Sequence, residues 1–255
     1  MAEPLLELRA LDRNFGGVQA VKGLSFSMEA SQVVGLIGPN GSGKSTSVNL
    51  ISGSLSPSAG DIRFDGRSVA ALPISERVPL GLARTFQTTS VFAEYSALEQ
   101  VLTACHARYR SGALAAVLQR SAARREAAQQ REKAAAILDF VGLAEVAGDA
   151  ASALSSAQQR LLMIATALAT EPRLLLLDEP AAGMVAQERK ALAELIQRIR
   201  GRGIAVLVIE HHMGLIMEVC ERIVVLNFGQ KIAEGTPAEI QRHPAVIDAY
   251  LGGAH

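Results

Sequence analysis

The chain has 255 residues, of which 49% are hydrophobic, so it can bury a sizeable core without disulfides or structural metals. Lysine plus arginine and aspartate plus glutamate each number 25, which gives a formal charge of zero. Proteins that bind nucleic acids through many phosphate contacts usually carry a basic excess, and base stacking needs aromatic side chains. With 7 Phe, 3 Tyr and no Trp, the composition disfavours nucleic-acid binding.

The sequence predicts neither an export signal nor a membrane-spanning helix. Glu3, Glu7 and Arg9 interrupt the stretch that a signal peptide would keep apolar. No apolar run approaches the roughly 18 residues that cross a bilayer. Cys105 and Cys220 are isolated, without a CxxC pattern or a histidine cluster at ligand spacing. We therefore expect two core thiols in a reduced, cytoplasmic protein.

The first part of the chain is predicted to be rich in β-structure. Apolar patterns and turn signals predict strands over residues 5–11, 18–21, 33–37 and 61–64. The run 33–37 is apolar throughout, and a Gly-rich turn and a helix over about 44–52 follow it, which indicates half of a βαβ unit. Further on, Pro73 and Pro79 predict a loop.

The middle of the chain is predicted to be a helical insert. Ser96 to Glu99 is a capping-box pattern, and the Ala-rich sequence to residue 140 contains many arginines. Such a basic cluster has two interpretations, a solvated helix face or a contact with lipid headgroups or an acidic partner loop.

After residue 154, helices and strands alternate. We expect helices over about 156–169, 187–200 and 213–220, and strands over 174–178, 204–209 and 223–226. Thr236 to Glu239 is a second capping box with Pro237 at the first helical position, so a short helical region follows. Short apolar strands that alternate with amphipathic helices predict a largely parallel sheet covered on both faces.

Residues 38–45, Gly-Pro-Asn-Gly-Ser-Gly-Lys-Ser, match the phosphate-loop pattern G-x-x-x-x-G-K-[ST]. The pattern lies between a predicted buried strand and a predicted helix, which is the context that it needs. Glycines allow backbone N–H groups to converge on phosphate oxygens at a helix N-terminus. Lys44 would contact the β- and γ-phosphates, and Ser45 would ligate Mg²⁺. The alternative is an ordinary Gly-rich turn.

Two acids, Asp178 and Glu179, end the leucine-rich strand 174–178. Ligands of parallel sheets bind at this end of the strands. Asp178 can bind Mg²⁺, and Glu179 can orient or deprotonate the water that attacks the γ-phosphate. Alone, an Asp-Glu pair after a strand more often caps a helix, but the upstream phosphate loop favours the catalytic interpretation.

In the order of its motifs, the chain resembles an ATP-binding-cassette (ABC) ATPase, and the resemblance covers nearly its whole length. Residues 154–158, Leu-Ser-Ser-Ala-Gln, are similar to the family signature LSGGQ. Gln87 resembles the Q-loop glutamine, His211 resembles the switch histidine, and Phe15 falls where the family stacks an aromatic ring on adenine.

The resemblance implies an α/β fold of the P-loop NTPase class, an ABC nucleotide-binding domain with an N-terminal antiparallel β subdomain and a helical insert. It implies a single domain over residues 1–255. Residues 1–95 and 160–255 would form the ATPase core, and residues 96–159 would form the helical subdomain that carries the signature.

The implied cofactors are ATP and Mg²⁺. Catalysis would use Lys44, Glu179 and His211, and the metal would be bound by Ser45, Gln87 and Asp178. The expected nucleotide contacts are Phe15, Gly38, Pro39, Asn40, Gly41, Ser42, Gly43, Lys44, Ser45, Thr46, Gln87, Ser155, Ala157 and Gln158.

The resemblance also implies partners. Two ATPase subunits, identical or different, pair head to tail, so that Ser155 of one meets the γ-phosphate bound by the other. The segment 88–95 borders a groove for a transmembrane permease, where Val91, Phe92 and Tyr95 are candidate contacts or simply core residues. The chain would lie at the cytoplasmic face of the inner membrane and act indirectly with a solute-binding protein.

Within the family, the chain looks most like the ATPase subunits of branched-chain amino-acid importers, through residues 84–87, 178–184, 210–213 and 249–252. Urea importers share much of this. The expected function is ATP hydrolysis that energises uptake of branched-chain amino acids or a related small polar solute. The alternatives are the ATPase of a lipid or lipopolysaccharide exporter and a non-transport ABC ATPase.

Two departures from the family pattern affect contacts across the dimer. Ser156 and Ala157 stand where the signature has glycines, and Val185 stands where many members have aspartate. We therefore expect a second, different ATPase as partner. The Lys44 site would then be the stronger of the two, and the altered signature would face the weaker one.

Overall fold

A computed structural model describes residues 3–85, 92–105 and 120–251. Its internal contacts divide the chain into two compact units. One unit combines the chain up to Arg84 with the chain from Arg173 onward, and the other runs from Thr85 to Pro172. The second unit extends further at both ends than the segment 96–159 that the sequence suggests.

The described chain contains ten strands and nine α-helices. The strands are β1 (Leu6–Phe15), β2 (Val18–Met28), β3 (Val33–Ile37), β4 (Ala59–Phe64), β5 (Arg67–Ser68), β6 (Leu82–Arg84), β7 (Leu174–Asp178), β8 (Ala205–Ile209), β9 (Arg222–Asn227) and β10 (Gln230–Gly235). The helices are α1 (Lys44–Ser52), α2 (Ile74–Leu80), α3 (Ala97–Cys105), α4 (Arg120–Val141), α5 (Ser156–Ala169), α6 (Ala186–Gly201), α7 (Met213–Val219), α8 (Pro237–Arg242) and α9 (Pro244–Leu251).

The first unit contains two sheets. An antiparallel sheet has the order β2-β1-β4-β5, and a mixed sheet has the order β10-β9-β3-β8-β7-β6. In the mixed sheet only the β9–β10 pair is antiparallel. The predicted α/β class with an N-terminal antiparallel sheet is therefore confirmed.

The central strands of the mixed sheet are buried along their whole length. All residues of β3, β7 and β8 are buried, which explains why their sequences are apolar without alternation. Apolar residues from both sheets and from α1 form one continuous core. At Gly35 of β3 the missing side chain makes room for Cys220, whose Sγ would lie 3.0 Å from a Cβ there. Burial raises the pKa of Cys220 to about 12.

The second unit is helical in its described residues. Ser96 Oγ accepts a hydrogen bond from the Glu99 N–H, and the Glu99 carboxylate accepts hydrogen bonds from the Ser96 N–H and hydroxyl. The predicted capping box at the start of α3 is therefore confirmed. On α4, Arg131 is exposed and Lys133 pairs with Glu171, as expected of a solvated face. No helix among the described residues is long and apolar enough to cross a membrane.

Two regions differ from the sequence prediction. The loop expected around Pro73 and Pro79 is α2 followed by β6, and β10 was not predicted at all. Pro73 is the N-cap of α2, and Pro79 lies in its last turn, so the helix forgoes a single backbone hydrogen bond. In β10, charged Lys231 and Glu234 dilute the apolar pattern that identifies a strand.

Arg77 of α2 is buried beneath the C-terminal end of α1. Its guanidinium donates to the carbonyl oxygens of Leu50 (2.8 Å), Ile51 (2.7 Å), Leu72 (2.8 Å) and Ala70 (3.2 Å). Burial lowers the pKa of Arg77 to about 10, so the side chain is still charged at neutral pH. Its positive charge complements the negative end of the α1 dipole. Arg77 therefore holds the phosphate-loop helix against the segment before α2.

Arg77→Met should lower the free energy of unfolding by about 2–4 kcal/mol, because four hydrogen bonds to carbonyl groups are lost and two of these bonds are buried. The measurement is urea unfolding followed by far-UV circular dichroism. Arg200→Met is the matched control, since Arg200 is 44% exposed and pairs with Glu221 at the surface; it should cost less than about 1 kcal/mol. Equal losses in the two variants would contradict the role of Arg77.

Candidate functional site

The candidate site lies at the carboxyl edge of the parallel strands. The registers place both Leu36 of β3 and Asp178 of β7 opposite Ile209 of β8. The residues that follow these strands, among them Gly38 and Glu210, therefore meet at one edge. Open α/β sheets bind their ligands at this edge.

The glycine-rich loop after β3 follows a backbone path that excludes side chains at two positions. Gly38 has φ +154° and Gly43 has φ +100°. A Cβ on Gly38 would overlap the carbonyl oxygen of Leu226, and a Cβ on Gly43 would lie 2.5 Å from the carbonyl oxygen of Ala20. Gly41, at φ +77°, faces open space instead. The loop thus packs on strand backbone and stays open at Gly41, as a phosphate cradle requires.

The turn between β9 and β10 supports this loop. The Gly229 N–H donates to the Ser42 carbonyl oxygen (3.0 Å), and the Gly229 carbonyl oxygen accepts from the Lys22 N–H (2.8 Å). The neighbouring Phe228 is 78% exposed. One turn residue therefore joins the loop to β2.

Helix α1 begins at Lys44, directly after the loop. The preceding glycine supplies no side-chain cap, and the first turn contains no acid, so its N–H groups are suited to an anion. Lys44 Nζ donates to the carbonyl oxygens of Gly38 (2.7 Å) and Pro39 (2.9 Å). Partial burial lowers the pKa of Lys44, although the two acids at the end of β7 attract its charge.

The other predicted contacts of this region differ in exposure. Asn40 and Ser45 are exposed, Thr46 is half-buried, and Ser42 is buried within the loop. Ser45 is thus accessible to solvent in the first turn of α1. Ser42 serves the loop itself, through its backbone contact with the β9–β10 turn.

Asp178 is buried at the end of β7 and forms an ion pair with Arg84 of β6. Arg84 Nη2 donates to Asp178 Oδ2 at 2.7 Å. Arg84 Nη1 donates to Asn49 Oδ1 (2.6 Å) and to Ser52 Oγ (3.2 Å), both in α1. The ion pair offsets the cost of removing the carboxylate from water.

Glu179 follows with a left-handed backbone, at φ +49°. Its N–H donates to the Ile209 carbonyl oxygen at 2.8 Å, which joins this turn to β8. A positive φ costs energy in a residue other than glycine, and such strain is common at functional sites. Burial lowers the pKa of Lys44, and the half-buried Glu179 carboxylate is near enough to oppose this shift, so the two groups lie at one site.

Glu210 connects the turn that follows β7 with the turn that follows β8. Its buried carboxylate accepts hydrogen bonds from the N–H groups of Ala181 (2.9 Å), His211 (2.9 Å) and His212 (3.0 Å). The turn after Glu179 and the segment with His211 are therefore held by one side chain. The His211 side chain is 67% exposed, with Nδ1 3.6 Å from Glu210 Oε2.

Phe15 ends β1 and is 43% exposed. The guanidinium carbon of Arg13 lies 4.6 Å from the centroid of its ring, a cation–π distance. One face of the ring is therefore covered by Arg13, and a stacked base would use the other face.

The signature-like residues belong to the second unit. Ser155 is the N-cap of α5; its hydroxyl accepts from the Gln158 N–H, and the Gln158 side chain accepts from the Ser155 N–H. Ser155 and Ser156 are exposed, and Ala157 is half-buried. Gln87 of the expected Q-loop lies outside the described residues.

Phe92 and Tyr95 are exposed rather than buried. Phe92 is 61% exposed and Tyr95 is 46% exposed, and their ring centroids are 5.2 Å apart. The core-packing interpretation is therefore wrong for these two residues. Val91, the third member of the group, lies outside the described residues.

The donors at the sheet edge fit a hard divalent cation. No group of three or more His, Cys, Asp or Glu side chains within the described ranges could bind a metal alone. Mg²⁺ is usually held by one or two protein oxygens together with substrate phosphates. The Asp178 carboxylate and the Ser45 hydroxyl are such oxygens.

Glu210, Arg84 and Gly229 contribute to the site but were not predicted from the sequence. Glu210 follows an apolar strand as Asp178 does, and that similarity could have identified it. Arg84 and Asp178 are 94 positions apart, and no local pattern pairs them. The contact of Gly229 depends on its backbone alone.

Comparison with known proteins identifies the family. Residues 21–182 match the family model described as ABC transporter, and residues 230–255 match the model described as branched-chain amino acid ATP-binding cassette transporter. The chain therefore belongs to the ABC transporter family and is an ABC-type ATPase.

Curated relatives align with the whole chain. It is 42% identical to the high-affinity branched-chain amino acid transport ATP-binding protein BraF of Pseudomonas aeruginosa, over 100% of both chains. It is 39% identical to the LivG protein of the same description from Escherichia coli K12, again over 100% of both. The predicted resemblance to ABC ATPases of branched-chain amino-acid transport is confirmed.

A solved structure agrees with the fold. The ADP conformation of MJ1267, an ATP-binding cassette of an ABC transporter, superposes with a TM-score of 0.85 at 29% identity. The alignment covers 98% of this chain and 100% of that one. Domains of this class thus bind nucleotide.

Gly43→Ala should destabilise the chain by about 2 kcal/mol or more, because the new Cβ meets strand backbone and the backbone angle is strained. Gly41→Ala is the matched control, since its Cβ enters open space; only the left-handed backbone then costs energy, about 1 kcal/mol. Urea unfolding measures both. A Gly43 variant as stable as the Gly41 variant would contradict the packing described for the loop.

Proposed function

We propose that this chain is the ATP-binding and ATP-hydrolysing subunit of a membrane importer for branched-chain amino acids or a related small polar solute. The main support is the meeting of the glycine-rich loop, Lys44, Asp178 and Glu179 at one sheet edge. The full-length similarity to BraF and LivG supports the solute class. These relatives favour the importer over the exporter and non-transport alternatives.

The loop and the start of α1 bind the phosphates. N–H groups of the loop and of the first turn of α1 converge on phosphate oxygens, with Pro39 as the loop residue that has no N–H to donate. The Lys44 ammonium exchanges its loop carbonyls for the β- and γ-phosphates. Phe15 stacks on the base with the face that Arg13 leaves uncovered. Asn40 and Ser42, with the glycines and Pro39, complete the loop contacts.

The carboxylate of Asp178, the hydroxyl of Ser45 and the side chain of Gln87 would hold Mg²⁺. When bound there, the metal would supply positive charge that offsets the charge of the nucleotide phosphates. The ion pair with Arg84 holds the buried Asp178 carboxylate at the end of β7.

Glu179 is the proposed general base. Its strained backbone is held by the hydrogen bond to Ile209, and its carboxylate orients and deprotonates the attacking water. His211 is exposed beside the same edge and contacts the γ-phosphate. Glu210 keeps the turns that carry Glu179 and His211 at a fixed separation.

Glu179→Gln should retain ATP binding and lose steady-state hydrolysis by about a hundredfold or more, because a positioned base contributes that much. Calorimetry measures the binding and phosphate release measures the turnover. Near-normal turnover would reject the role of Glu179.

Lys44→Ala in the same assays is the contrasting variant. It removes a charge contact that forms on binding, so nucleotide affinity itself should fall. If Lys44→Ala binds ATP as the wild-type chain does, the phosphate-binding role of Lys44 is wrong.

Head-to-tail pairing with a second ATPase would complete each site. Ser155, Ala157 and Gln158 at the start of α5 would contact the nucleotide bound by the partner. The capping box already fixes the Ser155 side chain at the helix N-terminus. Nucleotide would favour the closed pair because it contacts both subunits only there.

The partner ATPase is proposed to be a different chain. Ala157 adds a methyl group where the family has glycine, and Val185, 61% exposed, lacks the oxygens of an aspartate. Both changes weaken the contacts that this chain gives to its partner. The Lys44 site, completed by an intact signature, would be the more active one.

Mixed complexes test this asymmetry. Lys44→Ala in this chain should remove most of the ATPase activity, whereas the same replacement of the phosphate-loop lysine in the partner should remove less. The measurement is phosphate release by complexes with one disabled subunit at a time. Equal losses would contradict the proposal.

The proposed location is the cytoplasmic face of the membrane, through a permease. Phe92 and Tyr95 form an exposed aromatic pair that is suited to an apolar helix of that subunit. A solute-binding protein would act indirectly, through the permease.

A further inference from the structure

Arg84 connects β6, β7 and α1, and the proposed chemistry depends on the relative positions of these three elements. It ends β6, it pairs with Asp178 at the end of β7, and it donates to Asn49 and Ser52 in the second half of α1. The same helix begins with Lys44 and Ser45. The phosphate-binding end of α1 and the carboxylate of Asp178 therefore share one rigid frame.

Both side chains of this ion pair are largely buried. The side chain of Asp178 is 0% exposed and that of Arg84 is 10% exposed. A buried ion pair forms a directional contact, because neither partner can exchange it for water. With Nη1 anchored on Asn49, the planar guanidinium fixes where Nη2 lies, and Nη2 in turn holds Asp178 Oδ2 at 2.7 Å.

We propose that Arg84 is the positioning residue for the metal at the nucleotide site, because it orients the carboxylate of Asp178 from an anchor on α1. The inference rests on the proposed function, in which Asp178 binds Mg²⁺. Groups that orient a metal ligand usually change metal affinity by 10- to 100-fold when they are replaced. Arg84 does not touch the nucleotide in this arrangement.

Arg84→Lys separates geometry from charge. Lysine keeps the positive charge near Asp178, but its single ammonium lacks the planar fork that spans Asn49 and Asp178. A purely electrostatic effect of Arg84 on the metal would therefore survive the change. The orienting effect would be lost.

The experiment measures Mn²⁺ as a spectroscopic substitute for Mg²⁺ on the full chain. Electron paramagnetic resonance of free Mn²⁺ gives its Kd in the presence of the non-hydrolysable analogue AMP-PNP. Calorimetry with AMP-PNP and EDTA gives nucleotide affinity without metal. Arg84→Lys should raise the Kd of Mn²⁺ about tenfold or more and change metal-free nucleotide affinity by less than about twofold.

Two further variants make the result decisive. Arg173→Lys is the matched control, because Arg173 forms a two-point ion pair with Asp65 at the surface (2.5 and 3.0 Å); its Mn²⁺ affinity should equal that of the wild-type chain. Asn49→Ala keeps Arg84 and removes one anchor, so it should raise the Kd of Mn²⁺ about threefold. If Arg84→Lys does not fold, the Kd of Mn²⁺ for Asn49→Ala tests the role of Arg84 by itself.

Wild-type Mn²⁺ affinity in Arg84→Lys, or in Asn49→Ala where it decides alone, would overturn the role of Arg84. An equal loss of metal-free nucleotide affinity would also overturn it, because Arg84 would then support the whole site. Absence of AMP-PNP binding to the wild-type chain is a separate result, which would overturn the nucleotide site itself.

Discussion

Close packing of backbone on backbone at the glycine-rich loop is the constraint on which the candidate site depends. Gly38 packs against the carbonyl group of Leu226, and Gly43 packs against that of Ala20. Both contacts are too close to leave room for a side chain. The antiparallel sheet, through Ala20, and the mixed sheet, through Leu226, thereby both constrain the loop. The candidate nucleotide site therefore depends on the positions of the two sheets more than on the local conformational preferences of the loop.

Three acidic side chains at the same sheet edge are each stabilised in a different way. Asp178, Glu179 and Glu210 follow neighbouring strands, yet their surroundings differ. Asp178 is neutralised by Arg84, Glu210 is held by backbone N–H groups, and Glu179 is half-buried near Lys44. Three similar side chains thus have different electrostatic environments, because a charge that is removed from water needs a compensating partner.

Much of this architecture could be predicted from the sequence. The apolar runs of β3, β7 and β8, the loop motif and the capping boxes at Ser96 and Thr236 depend on local patterns, and they agree with the structure. Contacts between distant segments could not be predicted, such as Arg84 with Asp178. Helix α2 was not predicted because its prolines were taken as signs of a loop. In the structure, Pro73 is the N-cap of α2 and Pro79 lies in its last turn.

The β9–β10 turn has an additional consequence for engineering. Short surface turns between antiparallel strands usually tolerate inserted tags or fluorophores. Here the Gly229 N–H and carbonyl are both engaged, one with the loop and one with β2. Lengthening this hairpin would shift the backbone that supports the nucleotide cradle, although Phe228 beside it is largely open to water. A reporter group therefore belongs elsewhere on the chain.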